Sequence, residues 1–84
     1  MSHPYFVVAD DDTVLGFRSI GIGGAAVNTR QEALDALETA RRRGVGILIV
    51  TQEVAAMVRE ELDVLRFDEA LPMVVEIPGP QGPL

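Results

Sequence analysis

Two uninterrupted apolar runs constrain the fold of this 84-residue chain more than any other feature. Tyr5–Ala9 and Ile47–Val50 contain no charged residue and do not alternate between apolar and polar side chains. A strand that faces water on one side alternates in this way, whereas a strand covered on both faces stays apolar throughout. The two runs therefore predict central strands of a parallel sheet.

The segments around these runs predict the rest of an α/β fold. Ala25–Val27 and Met73–Val75 are shorter apolar runs, and Pro72 is suited to the start of a strand or to an edge. Three helix patterns separate the four strands, which is typical of parallel sheets with right-handed crossovers. We therefore expect a small flavodoxin-like, receiver-like three-layer fold. Its four-stranded parallel sheet would have the order 2-1-3-4, with helices on both faces.

The second predicted helix, about Arg30–Arg43, has clear ends. Thr29 and Glu32 form a capping-box pattern at its start, and Gly44 is suited to the left-handed position after its last turn. One apolar stripe at helical spacing would face the sheet: Ala33, Leu34, Leu37 and Ala40. Arg41–Arg43 have two interpretations, favourable charges at the negative end of the helix dipole or a basic docking patch.

The third predicted helix, about Glu53–Phe67, carries a further apolar stripe. Its core-facing residues are expected to be Val54, Met57, Val58, Leu62 and Leu65. Glu61 falls inside this apolar arc, where a buried carboxylate without a partner would be costly. Two interpretations follow: the Glu61 carboxylate reaches water from the edge of the helix, or it forms an ion pair with a partner protein.

The first predicted helix follows the first strand and has two different faces. Helical spacing places three apolar residues on one face: Val14, Phe17 and Ile20. Leu15, Gly16 and Arg18 fall elsewhere on the helix. Either a loop covers Leu15, or these three residues offer an apolar contact, a close backbone approach and a forked donor to a partner, as interfaces often do.

Acidic side chains follow the first and third strands, whose carboxyl ends meet at one crevice of such a sheet. Asp10–Asp12 and Thr51–Glu53 occupy these positions, an arrangement that suggests a magnesium-binding phosphorylation receiver. However, no aspartate ends the third strand and the chain has no lysine, so the pattern excludes phosphotransfer. Asp10–Asp12 keep two interpretations: oxygen ligands for a hard cation, or a cap of the first helix that meets its positive end.

Composition excludes several classes of protein. The net charge of −6 argues against nucleic acid or an anionic membrane as the main partner. The chain has no cysteine, its one histidine is His3, and no apolar run is long enough to span a bilayer. A Ser-His-acid arrangement and a Walker lysine are both missing, and the N-terminus lacks a signal-peptide pattern. We expect no catalytic residue, no metal, no cofactor and no direct membrane insertion.

One domain is expected, over residues 1–78, followed by a flexible Pro/Gly-rich tail over residues 79–84. A core of this size rarely supplies more than about 3–5 kcal/mol of stability. A partner that binds only the folded chain would add to that stability.

Three segments resemble one known family, the F subunits of rotary V-type and A-type ATPases. Asp10–Gly21 is similar to the family's opening, Asp-x-Asp-Thr-Val-x-Gly-Phe-Arg-Leu-x-Gly, with Ser19 in place of the usual leucine. Ile47–Glu53 resembles the family's apolar strand and Thr-Glu-Glu-like helix start, and Leu71–Gly79 resembles its Leu-Pro-x-x-x-x-Ile-Pro ending. The three segments stand in the family's order and spacing across nearly the whole chain.

The resemblance implies a receiver-like fold without receiver chemistry, in a non-catalytic component of the central stalk that binds the long coiled-coil D subunit. That stalk links ATP turnover in the A/B hexamer to ion transport by the membrane ring. Contacts with the hexamer and with the membrane-ring adaptor subunit, and a cytoplasmic position peripheral to the membrane, are implied as well. Family members usually continue past Ile-Pro-Gly into a C-terminal helical segment, which we expect this chain to lack. The residues that we expect at the partner interface are Leu15, Gly16, Arg18 and Glu61.

Two other hypotheses stand beside this one. The Asp10–Asp12 run motivates a receiver-like signalling or divalent-metal-binding module that lacks the phosphotransfer residues. A generic α/β scaffold that dimerises through its third helix is the other.

Overall fold

The computed structural model describes residues 4–68 and 72–82. In chain order its elements are β1 (Tyr5–Ala9), α1 (Asp11–Arg18), β2 (Gly24–Ala26), α2 (Arg30–Arg43), β3 (Ile47–Thr51), α3 (Gln52–Met57), α4 (Arg59–Asp68) and β4 (Met73–Ile77). These strands pair in parallel, in the order β2-β1-β3-β4. The α/β class and the predicted order 2-1-3-4 are confirmed. None of the described helices is both long and apolar enough to cross a bilayer.

The two faces of the sheet carry separate hydrophobic clusters. On one face, alternate strand residues such as Val8, Leu48 and Val50 pack with apolar residues of α2, α3 and α4. On the other face, Val7 and Ala9 of β1 pack with Val14 of α1. Among the described elements, helices therefore lie on both faces, three on the first and one on the second.

Both ends of α2 form as the sequence predicts. The Thr29 hydroxyl accepts a hydrogen bond from the Glu32 N–H at 3.1 Å. The Glu32 carboxylate accepts in return from the N–H of Asn28, one residue earlier than a capping box normally provides, at 2.7 Å. Gly44 has φ of 66° and donates its N–H to the carbonyls of the last turn, where a side chain would be strained.

The single helix predicted over Glu53–Phe67 is wrong, because the segment forms α3 and α4 with a break at Val58 (φ −131°, ψ 33°). A break at this point removes the helical bond that the Met57 carbonyl would otherwise accept. The Arg30 guanidinium, from the start of α2, donates to that carbonyl at 2.7 Å and also pairs with Glu61. The replacement donor is a distant side chain, which compensates for the lost bond.

Three smaller expectations also differ from the structure. Ile20 does not share a helix face with Val14 and Phe17, because α1 ends at Arg18 and Ile20 lies exposed in the turn that follows. Met57 is only half-buried, since it ends α3 at the break. Strand β2 begins one residue earlier than expected, at Gly24, where a Cβ atom would overlap the Val7 carbonyl.

The C-terminal segment continues regular structure further than expected. Strand β4 reaches Ile77, and a turn follows in which Gly82 N–H donates to the Gly79 carbonyl at 3.0 Å. Residues 83 and 84 lie outside the described residues, as does Leu71. The flexible tail over 79–84 stays a prediction.

Candidate functional site

The carboxyl edge of the sheet carries an acidic crevice of about 390 Å³. Its lining includes Asp10 and Asp12 after β1, and Thr51 and Glu53 at the junction of β3 and α3. The expectation that the ends of the first and third strands meet in one crevice is confirmed.

Asp10 uses its carboxylate to start α1. One oxygen accepts from the Thr13 N–H at 3.0 Å, and the other accepts from the Thr13 hydroxyl at 2.7 Å. Burial opposes ionisation of this group, but the hydrogen bonds to its carboxylate, led by the two from Thr13, together outweigh burial and lower the pKa of Asp10 below its usual value. Of the two interpretations of the acidic run, helix capping is the one that this geometry supports.

Thr51 starts α3 in the same manner, since its buried hydroxyl accepts from the Val54 N–H at 3.2 Å. This position takes the place of the acceptor aspartate in a phosphorylation receiver. The one polar atom of the Thr51 side chain is committed to a helix cap, so β3 ends in a structural group.

Glu53 is the unusual residue of the crevice. Both of its carboxylate oxygens are buried and have no hydrogen-bond partner in the described structure. Gly79 lies directly against this carboxylate, so closely that a Cβ atom at Gly79 would overlap it. The turn at residues 79–82 therefore closes one side of the crevice, a contact that sequence reasoning misses. The local signal for it is no more than a glycine between two prolines.

The crevice does not combine these groups into a metal site. Across residues 4–68 and 72–82, no three His, Cys, Asp or Glu side chains are grouped in a way that could hold an ion. The chemistry that the described crevice shows is hydrogen bonding to helix starts and close packing under the Gly79 turn.

The outer residues of α1 are free to meet a partner. Leu15 is 64% exposed, so the interpretation in which a loop covers it is wrong. Gly16 has nothing within 4 Å of the position that a Cβ atom would take. Arg18 is exposed and takes part in none of the ion pairs of the described residues.

Glu61 lies on α4, across the sheet from α1. Its carboxylate pairs with Arg30, and this bond is the largest cause that holds the pKa of Glu61 below its usual value. Neither sequence interpretation describes this pairing within the chain. The structure thus brings Leu15, Gly16 and Arg18 together and leaves Glu61 on the opposite side.

A second ionic group ties α4 to the edge strand β4. Glu76 accepts from Arg59 at 2.5 and 3.0 Å and from Arg66 at 2.9 Å. The bond from Arg59 is the main cause that lowers the pKa of Glu76. Sequence reasoning misses this group, because Arg59 and Glu76 stand 17 residues apart without a local pattern.

The arginines at the end of α2 are also used within the chain. Arg41 and Arg42 pair with Glu38, and the Arg43 guanidinium lies over the Phe6 ring, 5.6 Å from its centre. These contacts and the position in the last turn agree with favourable charges at the helix end.

Comparisons with known proteins agree with this fold. A model of the family described as ATP synthase (F/14-kDa) subunit matches residues 6–84. The F subunit of the A-type ATP synthase of Methanothermobacter thermautotrophicus is 40% identical over 84 residues, which are 99% of this chain and 79% of that protein. The F subunit of the V-type proton ATPase of Homo sapiens is 31% identical over an alignment that covers 92% of this chain and 74% of that protein.

A solved structure extends the likeness to three dimensions. The crystal structure of the V-type ATP synthase F subunit of Archaeoglobus fulgidus has a TM-score of 0.72 and 30% sequence identity to this chain. The match covers 92% of this chain and 99% of that one. The chain therefore belongs to the family of F subunits of A-type and V-type ATP synthases.

Proposed function

We propose that this chain is a non-catalytic component of the central stalk of a rotary A/V-type ATPase and binds the coiled-coil D subunit. In this role it couples ATP turnover in the A/B hexamer to ion transport, on the cytoplasmic side and peripheral to the membrane. The observation that carries the proposal is the family match over residues 6–84.

The acidic crevice supports a role without chemistry. Its position is that of a receiver's reactive crevice, yet Asp10 caps α1, and Thr51, in place of the acceptor aspartate, caps α3. Among the described residues no three His, Cys, Asp or Glu side chains are grouped as metal ligands, and the chain has no lysine. A fold of this kind without reactive groups is suited to binding and to transmitting force.

The exposed part of α1 supports a partner contact. We propose Leu15, Gly16 and Arg18 as interface residues for the D subunit, with Glu61 as a contact for a different subunit on the other side of the sheet. An exposed leucine, an open glycine and an exposed arginine on one short helix are features that protein interfaces use. Contacts with the A/B hexamer or the membrane-ring adaptor would come from surfaces that the D subunit leaves free.

A binding assay with purified subunits tests the proposal. The full chain is mixed with A and B subunits, with and without the D subunit of the same source, and co-purification is measured. Retention that requires the D subunit is the expected result. If the chain does not co-purify with the D subunit when that subunit is present, the proposed function is contradicted.

One variant tests the part that α1 plays. Arg18→Glu reverses the charge of an exposed arginine, so we expect roughly tenfold weaker binding to the D subunit. Arg42→Glu changes the same charge at the exposed end of α2, and it is expected to bind as the wild type does. Circular dichroism confirms that both variants fold. Equal affinity of Arg18→Glu and wild type would remove Arg18 from the interface.

A further inference from the structure

In the described part of the chain, half of the sheet on the α1 side has no helix over it. Val7 pairs with Ile49 and Ile49 with Val75, while Ile47 pairs with Met73, so these residues point to the same side as the α1 cluster. Helix α1 packs mainly on β1 and β2, and from the strands beyond them Ile49 reaches the edge of its cluster. Met73 is 61% exposed and Val75 38%. We call Ile47, Ile49, Met73 and Val75 the β3–β4 half-face.

The sequence of this surface is that of a covered strand. Leu48 and Val50, which alternate with Ile47 and Ile49, are completely buried under the helices of the other face. A strand with water on its second face carries polar residues at the alternate positions. Here both alternate positions are isoleucines that remain only half-buried. The half-face therefore carries apolar residues where a water-facing sheet would carry polar ones, although no helix of the described chain covers it.

The dimensions of the half-face suit one α-helix. Neighbouring strands lie about 4.8 Å apart and a helix with its side chains is about 10 Å wide, so one helix covers about two strands. Helix α1 already covers β1 and β2. A second helix laid beside α1, over β3 and β4, would complete the layer.

One flank of α1 forms a wall for such a helix. A shallow groove of about 280 Å³ is lined by Thr13, Gly16 and Phe17 of α1 and by Ile20 of the turn that follows. Phe17 and Ile49 both pack against the cluster of Val7, Ala9 and Val14, so this flank faces the half-face. Gly16 leaves open space at the groove, which permits close approach of another helix.

The negative charge near α1 indicates which charged residues a docked helix would carry. Asp11 and Asp12 are exposed at the start of α1, and neither takes part in an ion pair of the described residues. The whole chain carries a net charge of −6. Basic residues beside the apolar stripe of a docked helix would complement this end of the surface.

A rival groove lies on the opposite face, between α2 and α4. Leu34, Leu37, Val64 and Leu65 form its apolar part, in a space of about 310 Å³. Its charged rim is already paired within the chain, through Glu38 with Arg41 and through Glu61 with Arg30. The β3–β4 half-face has no such charged rim among its four residues. It consists of apolar side chains of two neighbouring strands.

We propose that the β3–β4 half-face, together with the Phe17 flank of α1, is the docking surface for one amphipathic α-helix of a partner, with an apolar stripe flanked by basic residues. This inference rests on the proposed function, because a coiled-coil partner such as the D subunit presents helices. It adds the surface by which the chain binds and the chemistry of the helix that it receives.

Affinity for the purified D subunit tests the inference, measured by titration calorimetry with the full chain. The double variant Met73→Lys/Val75→Lys places two flexible charges on the half-face without disturbing a buried residue. We expect at least tenfold weaker binding, because apolar contact is lost and basic flanks are repelled. Val64→Lys introduces one lysine into the rival groove, at a position that is 56% exposed, and should stay within about twofold of wild type. Circular dichroism and thermal unfolding verify that each variant is folded.

The outcomes separate the inference from the proposed function. If the wild type binds and the double variant binds equally well, the half-face is not the docking surface, and the proposed function remains intact. Weakening by Val64→Lys alone would assign the partner to the groove between α2 and α4, and this also overturns the inference. A wild-type chain that fails to bind the D subunit contradicts both. If the wild type is a dimer in sedimentation and the double variant is a monomer, the half-face binds a second copy of the chain, which also overturns the inference.

Discussion

On the face of the sheet under α2, α3 and α4, Leu48 and Val50 are fully buried, whereas on the α1 face Ile47 and Ile49 of the same strand are half-buried. The first face closes a core that extends from the strands to Leu62 of α4. The second face closes only a small cluster around Val14. One strand thus carries a stabilising side and a side suited to binding.

This difference shows how a small domain divides its apolar surface. Each fully buried leucine or valine contributes roughly 1.5–3 kcal/mol relative to exposure, so the closed face supplies most of the stability. Apolar residues on the open face contribute little until another surface covers them. A partner on that face would then stabilise the chain as well as bind it.

The largest expected effect breaks the closed face. Leu48→Ala removes a completely buried side chain from the central strand β3, and we expect a loss of about 3 kcal/mol in the free energy of unfolding. Met73→Ala truncates a comparable side chain on the open face and should cost less than about 0.5 kcal/mol. Urea denaturation of the two variants measures the contrast. Equal losses would show that the faces do not differ as described.

The next effect concerns helix α1, on the open side. Asp10→Ala removes the cap of α1, so we expect a loss of about 1 kcal/mol. Asp10→Asn keeps an acceptor for the Thr13 N–H and should lose less stability. Asp11→Ala is the control, because it removes a neighbouring carboxylate that does not cap the helix. Thermal unfolding with and without Mg²⁺ provides the measurement. Stabilisation by Mg²⁺ that Asp10→Ala abolishes would favour a metal ligand over a cap.

The smallest effect lies in the ionic tie between α4 and β4. The folded-state pKa of Glu76 lies below its ordinary value of 4.5, so its contribution is present above pH 4.5 and is lost as pH falls through the folded pKa. Glu76→Gln should therefore lose about 0.5–1 kcal/mol at neutral pH and progressively less below pH 4.5. Denaturation across this range checks the trend. A difference that stays constant with pH would exclude ionisation as its source.

Local signals in the sequence predict most of the fold. The apolar run at Tyr5–Ala9, the cap at Thr29 and the stop at Gly44 act within a few residues, and all three appear in the structure. The break at Val58 cannot be predicted in this way, because the donor to the freed carbonyl is Arg30, 27 residues before its acceptor Met57.

The site is predictable in part for the same reason. The meeting of Asp10 and Thr51 follows from parallel topology. The pairing of Glu61 with Arg30 and the contact of Gly79 on Glu53 depend on how distant segments pack, so no local pattern indicates them. The open side of β3 cannot be predicted from the sequence either. A continuous apolar strand indicates that both faces are covered, but it does not show which molecule provides the cover.

Methyl NMR of the full chain, recorded free and with the D subunit, tests the central claim most directly. It reports the two faces of the sheet in one experiment, through Ile, Leu, Val and Met side chains. We predict that binding shifts the methyl resonances of Ile47, Ile49, Met73 and Val75, while those of Leu34 and Val64 stay unchanged. Shifts confined to Leu34 and Val64, on the closed face, would contradict the account.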